Sequence, residues 1–354
     1  MRIFFRTDSS NIIGSGHLMR CISLAIELSS RSSQVAFVMR SCSKFHQSIL
    51  RKNNFKLIKM EPFASNIQNS ITLNHKTWLG VSEDEDFQEF LSLSDNPDLI
   101  VIDHYGIGSK WEKKIKDSLP NTKTIVLDDL KREHCADIII DQTLGRSKSE
   151  YIGSKGKILT GANYAILRKG FSKFHTIQKS NANYNPANHQ ILINFGGYDE
   201  MNLTIQSLKE LSKRSTPIKT SVIINDDSNS YNEVINFINS NNDWISQYDF
   251  VENMDELLSQ HTICVGAPGS SSWERACLGL PSVLIKVAEN QSEILSALLS
   301  HQAVFEVLQN EIEVKLNKYI DKIINNFSKM RKANLSICDG NGAQRIAKEI
   351  SNLK

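Results

Sequence analysis

Short runs of apolar residues rich in β-branched side chains recur along the chain and predict buried strands. The first run, Ile3 to Phe5, opens the sequence, and longer segments with apolar residues at helical spacing separate the later runs. Those later runs are Val35–Met39, Leu99–Ile102, Ile125–Leu127, Ile138–Ile140, Ile191–Ile193, Val222–Ile224, Ile263–Val265 and Val283–Ile285. This alternation indicates an α/β architecture in which helices cover both faces of parallel sheets.

The length of the chain, 354 residues, exceeds the usual size of a single hydrophobic core and predicts two domains. Residues 169–188 form a polar stretch without apolar periodicity, which is typical of an interdomain linker. We therefore expect one domain over residues 1–168 and a second over residues 189–354, the latter ending in charged helices after residue 310. Each half is expected to be a doubly wound, Rossmann-like unit, with the two units facing each other across a cleft.

Composition narrows the possible partners. The chain has 41 Lys and Arg against 39 Asp and Glu, a formal net charge of +2, which predicts no broad nucleic-acid footprint. Its six cysteines include no C-x-x-C pair, which argues against a zinc ribbon and a disulfide framework. There is no uninterrupted apolar stretch of about 18 residues, so we expect a cytoplasmic protein without a membrane partner.

A lone histidine lies on a glycine loop between the first strand and the first helix. Gly14 and Gly16 precede His17, and apolar residues at helical spacing begin at Leu18. The glycines allow a ligand close to the backbone, and a helix N-terminus favours an anion. A neutral imidazole there could accept a proton from water, but a helix-capping histidine without chemistry fits the same spacing.

Other polar side chains follow strands in the first half of the chain. Asp103, His104 and Tyr105 follow one strand, and their side chains can carry protons or form hydrogen bonds. The pair Asp128 and Asp129 ends the next strand, and another carboxylate ends the strand after that. Carboxylates in such places often only cap the following helix, so both interpretations stay open.

The second half has two glycine loops after strands. Gly196 and Gly197 precede Asp199 and a helix, which suggests a nest of backbone amides for a diphosphate, although a tight turn would look the same. Gly269 and the serines 270–272 open another helix in the same way.

Side chains near the second loop could recognise a nucleoside and a sugar. Glu274, in the first turn of its helix, could accept the two vicinal hydroxyls of a ribose, or could be an ordinary N-terminal glutamate. Asn290 and Gln291 follow the next strand and could hydrogen-bond sugar hydroxyls or amides, or simply cap their loop.

Taken in order, these motifs resemble the UDP-sugar hydrolases of pseudaminic acid biosynthesis over nearly the whole chain. The matching motifs are Arg6-x-Asp8, Gly14-x-Gly16-His17-x-x-Arg20-Cys21, Asp103-His104-Tyr105-Gly106, Asp128-Asp129-Leu130, Gly161-Ala162-Asn163-Tyr164-Ala165-Ile166-Leu167-Arg168, Gly196-Gly197-x-Asp199, Gly269-Ser270-x-x-Trp273-Glu274, Asn290-Gln291 and Asp339-Gly340-x-Gly342-Ala343.

The resemblance implies a GT-B-like fold, with UDP bound by the C-terminal domain and His17 acting as the general base. The implied reaction is attack of water on the anomeric carbon of a UDP-linked 2,4-diacetamido-2,4,6-trideoxy-β-L-altrose, with inversion and release of UDP. No metal or other cofactor is expected, and the protein is expected to be a monomer. The implied substrate contacts are Asp8, Gly16, Arg20, Tyr105, Gly196, Gly197, Asp199, Gly269, Ser270, Glu274, Asn290 and Gln291.

Four positions depart from the usual family pattern, namely Tyr198, Pro268, Ser271 and Glu289. Proline has no backbone N–H, so Pro268 reduces the number of amides that its loop can offer to a phosphate.

Two alternative functions stay open. One is a UDP-sugar-dependent glycosyltransferase, in which His17 would deprotonate an acceptor hydroxyl, and the other is a nucleotide-sugar sensor without turnover.

Overall fold

The computed structural model describes residues 1–10, 13–29, 33–62, 75–181, 183–184, 186–196, 199–226 and 228–353. The chain forms two compact units, of which unit 1 contains Met1–Ile166 and Gly342–Lys354, and unit 2 contains Leu167–Asn341.

The strands are β1 (Arg2–Thr7), β2 (Gln34–Met39), β3 (Lys56–Lys59), β4 (Leu99–Asp103), β5 (Lys123–Leu127), β6 (Ile138–Asp141), β7 (Lys157–Thr160), β8 (Gln190–Asn194), β9 (Lys219–Ile223), β10 (Ile245–Tyr248), β11 (Ile263–Gly266), β12 (Ser282–Leu284) and β13 (Val304–Glu306). The α-helices are α1 (Gly16–Ser29), α2 (Lys44–Lys52), α3 (Glu83–Leu93), α4 (Ser109–Ser118), α5 (Lys169–Ser180), α6 (Leu203–Leu211), α7 (Tyr231–Asn239), α8 (Met254–Ser259), α9 (Ser271–Cys277), α10 (Ser292–Ser300), α11 (Ile312–Asn325), α12 (Phe327–Leu335) and α13 (Gly342–Ser351). Short 3-10 helices cover His75–Leu79, Lys148–Glu150, Ala162–Tyr164, Glu289–Gln291 and Gln309–Glu311.

Unit 1 is built on a parallel sheet with the strand order β3-β2-β1-β4-β5-β6-β7. Successive side chains of a strand point to opposite faces, and both faces of β1 are buried. Ile3 and Phe5 pack into the core on one face, together with residues of α1 and α13. Phe4 packs into the core on the other face, together with Phe87 of α3 and Trp111 of α4. Helices on both faces explain why the interior strands are continuous apolar runs.

Unit 2 repeats this arrangement with a parallel sheet of order β10-β9-β8-β11-β12-β13. Ile191 and Ile193 of β8 lie in a core with residues of α6 and α11. The strand β8 pairs with β9 on one side and with β11 on the other. The predicted α/β class with parallel, helix-covered sheets is therefore confirmed in both units.

The structure divides the chain differently from the predicted boundaries at two places. Residues 169–180 of the predicted linker form helix α5 of unit 2, in which Phe171 and His175 are buried one turn apart and the rest of the helix is largely polar. That apolar stripe is too narrow to give a periodic signal in the sequence. At the other end, α13 returns to unit 1, where Ala343, Ile346 and Ala347 pack into its core.

No helix in the described part of the chain is both long and apolar enough to cross a bilayer.

Candidate active site

The histidine loop lies where the strand order of unit 1 reverses. From β1 the chain proceeds to β2 and β3 on one side of the sheet, whereas β4 pairs with β1 on the other side, with Thr7 in register with Asp103. The loops that follow β1 and β4 therefore leave the same edge of the sheet in opposite directions. Parallel α/β sheets bind ligands at such switch points.

His17 and Asp103 meet at this switch point. His17 is the second residue of α1, and its Nδ1 lies 2.6 Å from Oδ1 of Asp103, the last residue of β4. Arg20, almost one turn further along α1, donates to both carboxylate oxygens, from Nε at 2.6 Å and from Nη2 at 2.5 Å. The helix spacing of three residues puts both partners of Asp103 on one face of α1.

These contacts fix the position of the proton on His17. Burial alone would raise the pKa of Asp103, but Arg20 and His17 hold it well below its usual value, so the carboxylate only accepts hydrogen bonds. Nδ1 lies 2.6 Å from this carboxylate and therefore carries the hydrogen that Asp103 accepts. The Arg20 guanidinium, 3.2 Å from Nδ1, has only donors and does not compete for that hydrogen. In the neutral imidazole the lone pair is then on Nε2, which has no hydrogen-bond partner among the described residues.

This geometry bears on the two sequence interpretations of His17. The described partners of its imidazole are the side chains of Asp103 and Arg20, and no backbone amide of α1 is among them. The imidazole is therefore oriented by a carboxylate and does not bond the amides at the start of its helix, and its catalytic role stays a prediction.

Two aromatic rings border the His17 imidazole. The Tyr105 ring meets it edge-on, with 4.6 Å between the ring centroids, and the Trp78 ring does the same at 6.0 Å. The imidazole is largely buried, with 9% of the residue exposed. Trp78 lies on the 3-10 helix His75–Leu79 and has no motif around it that would have marked it in the sequence.

The phenol of Tyr105 is held as a hydrogen-bond donor. Its hydroxyl donates to Oδ1 of Asp129 over 2.5 Å, and burial together with the Asp129 charge raises the pKa of Tyr105 well above its usual value. The Arg132 guanidinium fixes the backbone of this loop, donating from Nη1 to the carbonyls of Tyr105 and Ile107 at 2.7 and 2.8 Å. Asp103 and Asp129 thus complete the site, although neither is among the predicted substrate contacts.

Asp8 has a different environment from the substrate contact expected of it. Its carboxylate is fully buried and accepts hydrogen bonds from Arg6 Nη1 and from the backbone amides of Arg40 and Ser41, at 2.8, 2.6 and 2.9 Å. The two amides bond Oδ1, and Nε2 of His104 lies 3.3 Å from Oδ2, the oxygen that Arg6 also bonds. With its oxygens turned inward, Asp8 holds the end of β1 together, whereas Gly16 at the start of α1 is exposed.

A second switch point lies between β8 and β11 in unit 2. Gly196 follows β8 with a φ of +92°, a conformation that favours glycine, and no atom of the described residues lies within 4 Å of the position that its Cβ would take. Gly197 lies outside the described residues. The Asp199 carboxylate accepts hydrogen bonds from the backbone amides of Leu203 and Thr204, both at 2.8 Å. It therefore caps α6, whereas the sequence analysis expects it to contact the substrate.

The serine hydroxyls of the loop after β11 differ in their hydrogen bonds. The Arg275 guanidinium donates to the hydroxyls of Ser271 and Ser272, at 2.9 and 2.8 Å. The hydroxyl of exposed Ser270, by contrast, bonds no other described residue. Gly269 has open space around the position of a Cβ.

Glu274 on α9 is half-buried, and no described residue donates a hydrogen bond to its carboxylate. Burial raises the pKa of Glu274 to about 7, against the opposing effect of Arg168 and Arg275.

Asn290 is exposed on the 3-10 helix that follows β12. The side-chain Oε1 of the neighbouring Gln291 accepts a hydrogen bond from the backbone amide of Val287 at 3.0 Å. In the part of the chain that the structure describes, no group of three or more His, Cys, Asp or Glu side chains could hold a metal ion.

Comparison with known proteins agrees with this architecture. Residues 188–350 match the family described as the glycosyltransferase family 28 C-terminal domain. An uncharacterized protein of Methanocaldococcus jannaschii is 29% identical over 302 residues, which cover 83% of this chain and 57% of that protein. The UDP-2,4-diacetamido-2,4,6-trideoxy-beta-L-altropyranose hydrolase of Campylobacter jejuni is 28% identical over 216 residues, 60% of this chain and 66% of the hydrolase. The chain thus spans less than two thirds of either relative.

Among solved structures, MurG of Acinetobacter baumannii has a TM-score of 0.68 at 12% identity and covers 99% of both chains. With its two parallel-sheet units and its structural similarity to MurG, the chain has a GT-B-like fold.

Proposed function

We propose that the chain is an enzyme acting on UDP-sugars, and that it hydrolyses UDP-2,4-diacetamido-2,4,6-trideoxy-β-L-altropyranose, a step of pseudaminic acid biosynthesis. The observation that carries the proposal is the contact of His17 Nδ1 with Asp103, which leaves Nε2 able to accept a proton. The similarity to the Campylobacter jejuni hydrolase supports the choice of substrate.

In the proposed reaction a water molecule transfers a proton to Nε2 of His17 while its oxygen attacks the anomeric carbon. The bond between that carbon and the UDP oxygen breaks, UDP leaves with the electron pair, and the configuration at the carbon inverts. Asp103 stabilises the imidazolium formed in this step. UDP is a competent leaving group, so the proposal needs no general acid and no metal.

Unit 2 would bind the nucleotide. The Glu274 carboxylate, to which no described residue donates, would accept the ribose hydroxyls. Gly196 and Ser270 follow adjacent strands at a switch point, which suits a diphosphate. Tyr105 and Asn290 would contact the sugar. Arg20 would act through Asp103, to which it is bound, and not through the substrate.

A glycosyltransferase is the second candidate, because residues 188–350 match a glycosyltransferase domain family. In that reaction Nε2 of His17 would take the proton of an acceptor hydroxyl instead of water. Transfer would leave the UDP-sugar intact when no acceptor is present.

The experiment is incubation of the protein with the UDP-sugar in isotopically labelled water without an acceptor, followed by mass spectrometry. Free sugar carrying the label supports the proposal, whereas label in UDP would mean attack at phosphorus and would contradict it. We expect His17→Ala to lower turnover by about 10²-fold to 10⁴-fold and to leave UDP affinity nearly unchanged. His301→Ala, at an exposed histidine, is the matched control. Turnover by His17→Ala close to the wild-type rate would refute the role of His17, and UDP binding without any turnover by the wild type would indicate a sensor.

A further inference from the structure

The consecutive carboxylates Asp128 and Asp129 follow β5 and have opposite environments. Asp128 is buried and accepts hydrogen bonds from the amides of Leu130 and Arg132, at 3.1 and 3.2 Å, and from the Arg132 guanidinium at 2.8 Å. Its Oδ2 also lies 3.4 Å from Nε2 of His134. Asp128 therefore has internal partners for both oxygens, and its role is structural.

Asp129 is half-buried and uses one oxygen only. Its Oδ1 accepts the hydroxyl of Tyr105, whereas Oδ2 accepts no hydrogen bond from any described residue. The ring of the same tyrosine touches the His17 imidazole edge-on. One phenol ring therefore joins the catalytic imidazole to a carboxylate with a free oxygen.

The position of Asp129 is fixed from several sides. Its backbone carbonyl accepts a hydrogen bond from Arg146 Nη2 at 3.1 Å, and Arg146 is itself paired with buried Asp141. The loop that carries Tyr105 is held by Arg132. A carboxylate held in this way loses little conformational entropy when it binds a ligand.

We propose that Asp129 determines sugar specificity by accepting a hydrogen bond on Oδ2 from an N–H or O–H group of the sugar. This inference rests on the proposed function, since it assumes that the sugar of a nucleotide sugar lies beside His17. A carboxylate accepts and does not donate, so Asp129 selects a sugar with a donor at this position, such as an acetamido N–H. A site built to pair a polar group discriminates strongly against analogues that lack the group.

The test compares UDP-2,4-diacetamido-2,4,6-trideoxy-β-L-altropyranose with UDP in calorimetric titrations of the His17→Ala protein, in which the substrate persists. We expect Asp129→Asn to weaken binding of the UDP-sugar by about 10-fold to 100-fold and to leave UDP binding unchanged. The amide has one acceptor oxygen, which Tyr105 occupies, so its NH2 group faces the donor on the sugar. Adding Tyr105→Phe releases that oxygen, and we expect it to restore part of the lost affinity.

The matched control is Asp117→Asn, at an exposed carboxylate on α4, which should change neither affinity. The inference is overturned if Asp129→Asn binds the UDP-sugar as tightly as its parent, if it loses affinity for UDP equally, or if the parent binds the UDP-sugar no more tightly than UDP. Failure of the proposed function has a different signature: the wild-type protein would release no free sugar, while the difference in binding between UDP-sugar and UDP would still report on Asp129.

Discussion

The substitution Asp103→Asn tests the proposed base most directly. In the wild type, Asp103 accepts hydrogen bonds from His17 Nδ1, from Arg20 Nε and from Arg20 Nη2, and the Cys21 thiol lies 3.4 Å from its Oδ2. An asparagine amide has one acceptor oxygen. Whichever way the amide is placed, its NH2 group opposes at least one N–H of Arg20, and the negative charge is lost in both orientations.

The expected magnitude follows from the charge that remains. When His17 takes a proton, the imidazolium forms with an Arg20 nitrogen 3.2 Å away and without the carboxylate that balances both cations. Two unit charges about 4 Å apart interact by about 4 kcal/mol at an effective dielectric constant of about 20. We therefore expect kcat to fall by about 10³-fold. Arg20→Gln in the Asp103→Asn protein removes the unbalanced cation, and part of the activity should return.

The assay measures UDP release from the UDP-sugar under saturating conditions. Because Asp103 is fully buried and Arg20 nearly so, Asp103→Asn is also expected to lower the free energy of unfolding of unit 1, by about 3–5 kcal/mol. Denaturant unfolding and UDP titration show whether each variant is folded under the assay conditions. A folded Asp103→Asn protein with the wild-type kcat would refute the role of the carboxylate, and a double variant without any recovery would refute the electrostatic explanation.

Two further predictions concern pH. Because burial raises the pKa of Glu274 to about 7, we expect UDP affinity to rise between about pH 6 and about pH 8, as the carboxylate ionises and accepts ribose hydroxyls more strongly. Glu274→Gln should weaken UDP binding and remove this rise in calorimetric titrations, and an unchanged pH dependence in the variant would contradict the ribose contact. His134 is buried between Glu112 and Asp128; burial lowers its pKa, but the two carboxylates outweigh that effect and raise it to about 9. The folded-state pKa exceeds the unfolded value of about 6.5, so the imidazolium stabilises the fold fully below about pH 6.5, and this contribution of roughly 3 kcal/mol is lost as pH rises through about 9. Denaturant unfolding of the wild type and of His134→Gln at both ends of this pH range measures this contribution to the free energy of unfolding. If the free energy of unfolding depends on pH equally in the two proteins, His134 is not the cause of the loss.

The strands that sequence patterns predicted and those that they missed differ in burial. Every missed strand in the described part of the chain is the edge of a sheet, namely β3, β7, β10 and β13. An edge strand has one neighbour, and β3, for example, carries lysines at both ends and has no fully buried residue. Interior strands such as β4 are buried throughout and therefore appear as continuous apolar runs.

The candidate site was predicted in part because its loops carry local signals. The glycines before His17 mark a strand-to-helix turn, and the structure places α1 where the spacing indicates it. The partner of His17 has no such signal, because Asp103 is 86 residues away and only the pairing of β1 with β4 brings the two together. Trp78 also reaches the imidazole from a segment that is distant in the sequence and carries no local signal.

The roles of the carboxylates could not be read from their positions after strands, because what faces each one decides its role. Asp8 and Asp103 follow adjacent strands of one sheet and are equally buried. Asp8 faces Arg6, backbone amides and the His104 imidazole, and the other ring nitrogen of His104 accepts the amide of Gly106. Asp103 faces a guanidinium and an imidazole whose other nitrogen has no partner among the described residues. A buried carboxylate is stabilised by donors in both cases. Only the imidazole at Asp103 has a second nitrogen without a described partner, so the same physical requirement for pairing gives a structural contact at Asp8 and orients the candidate base, His17, at Asp103.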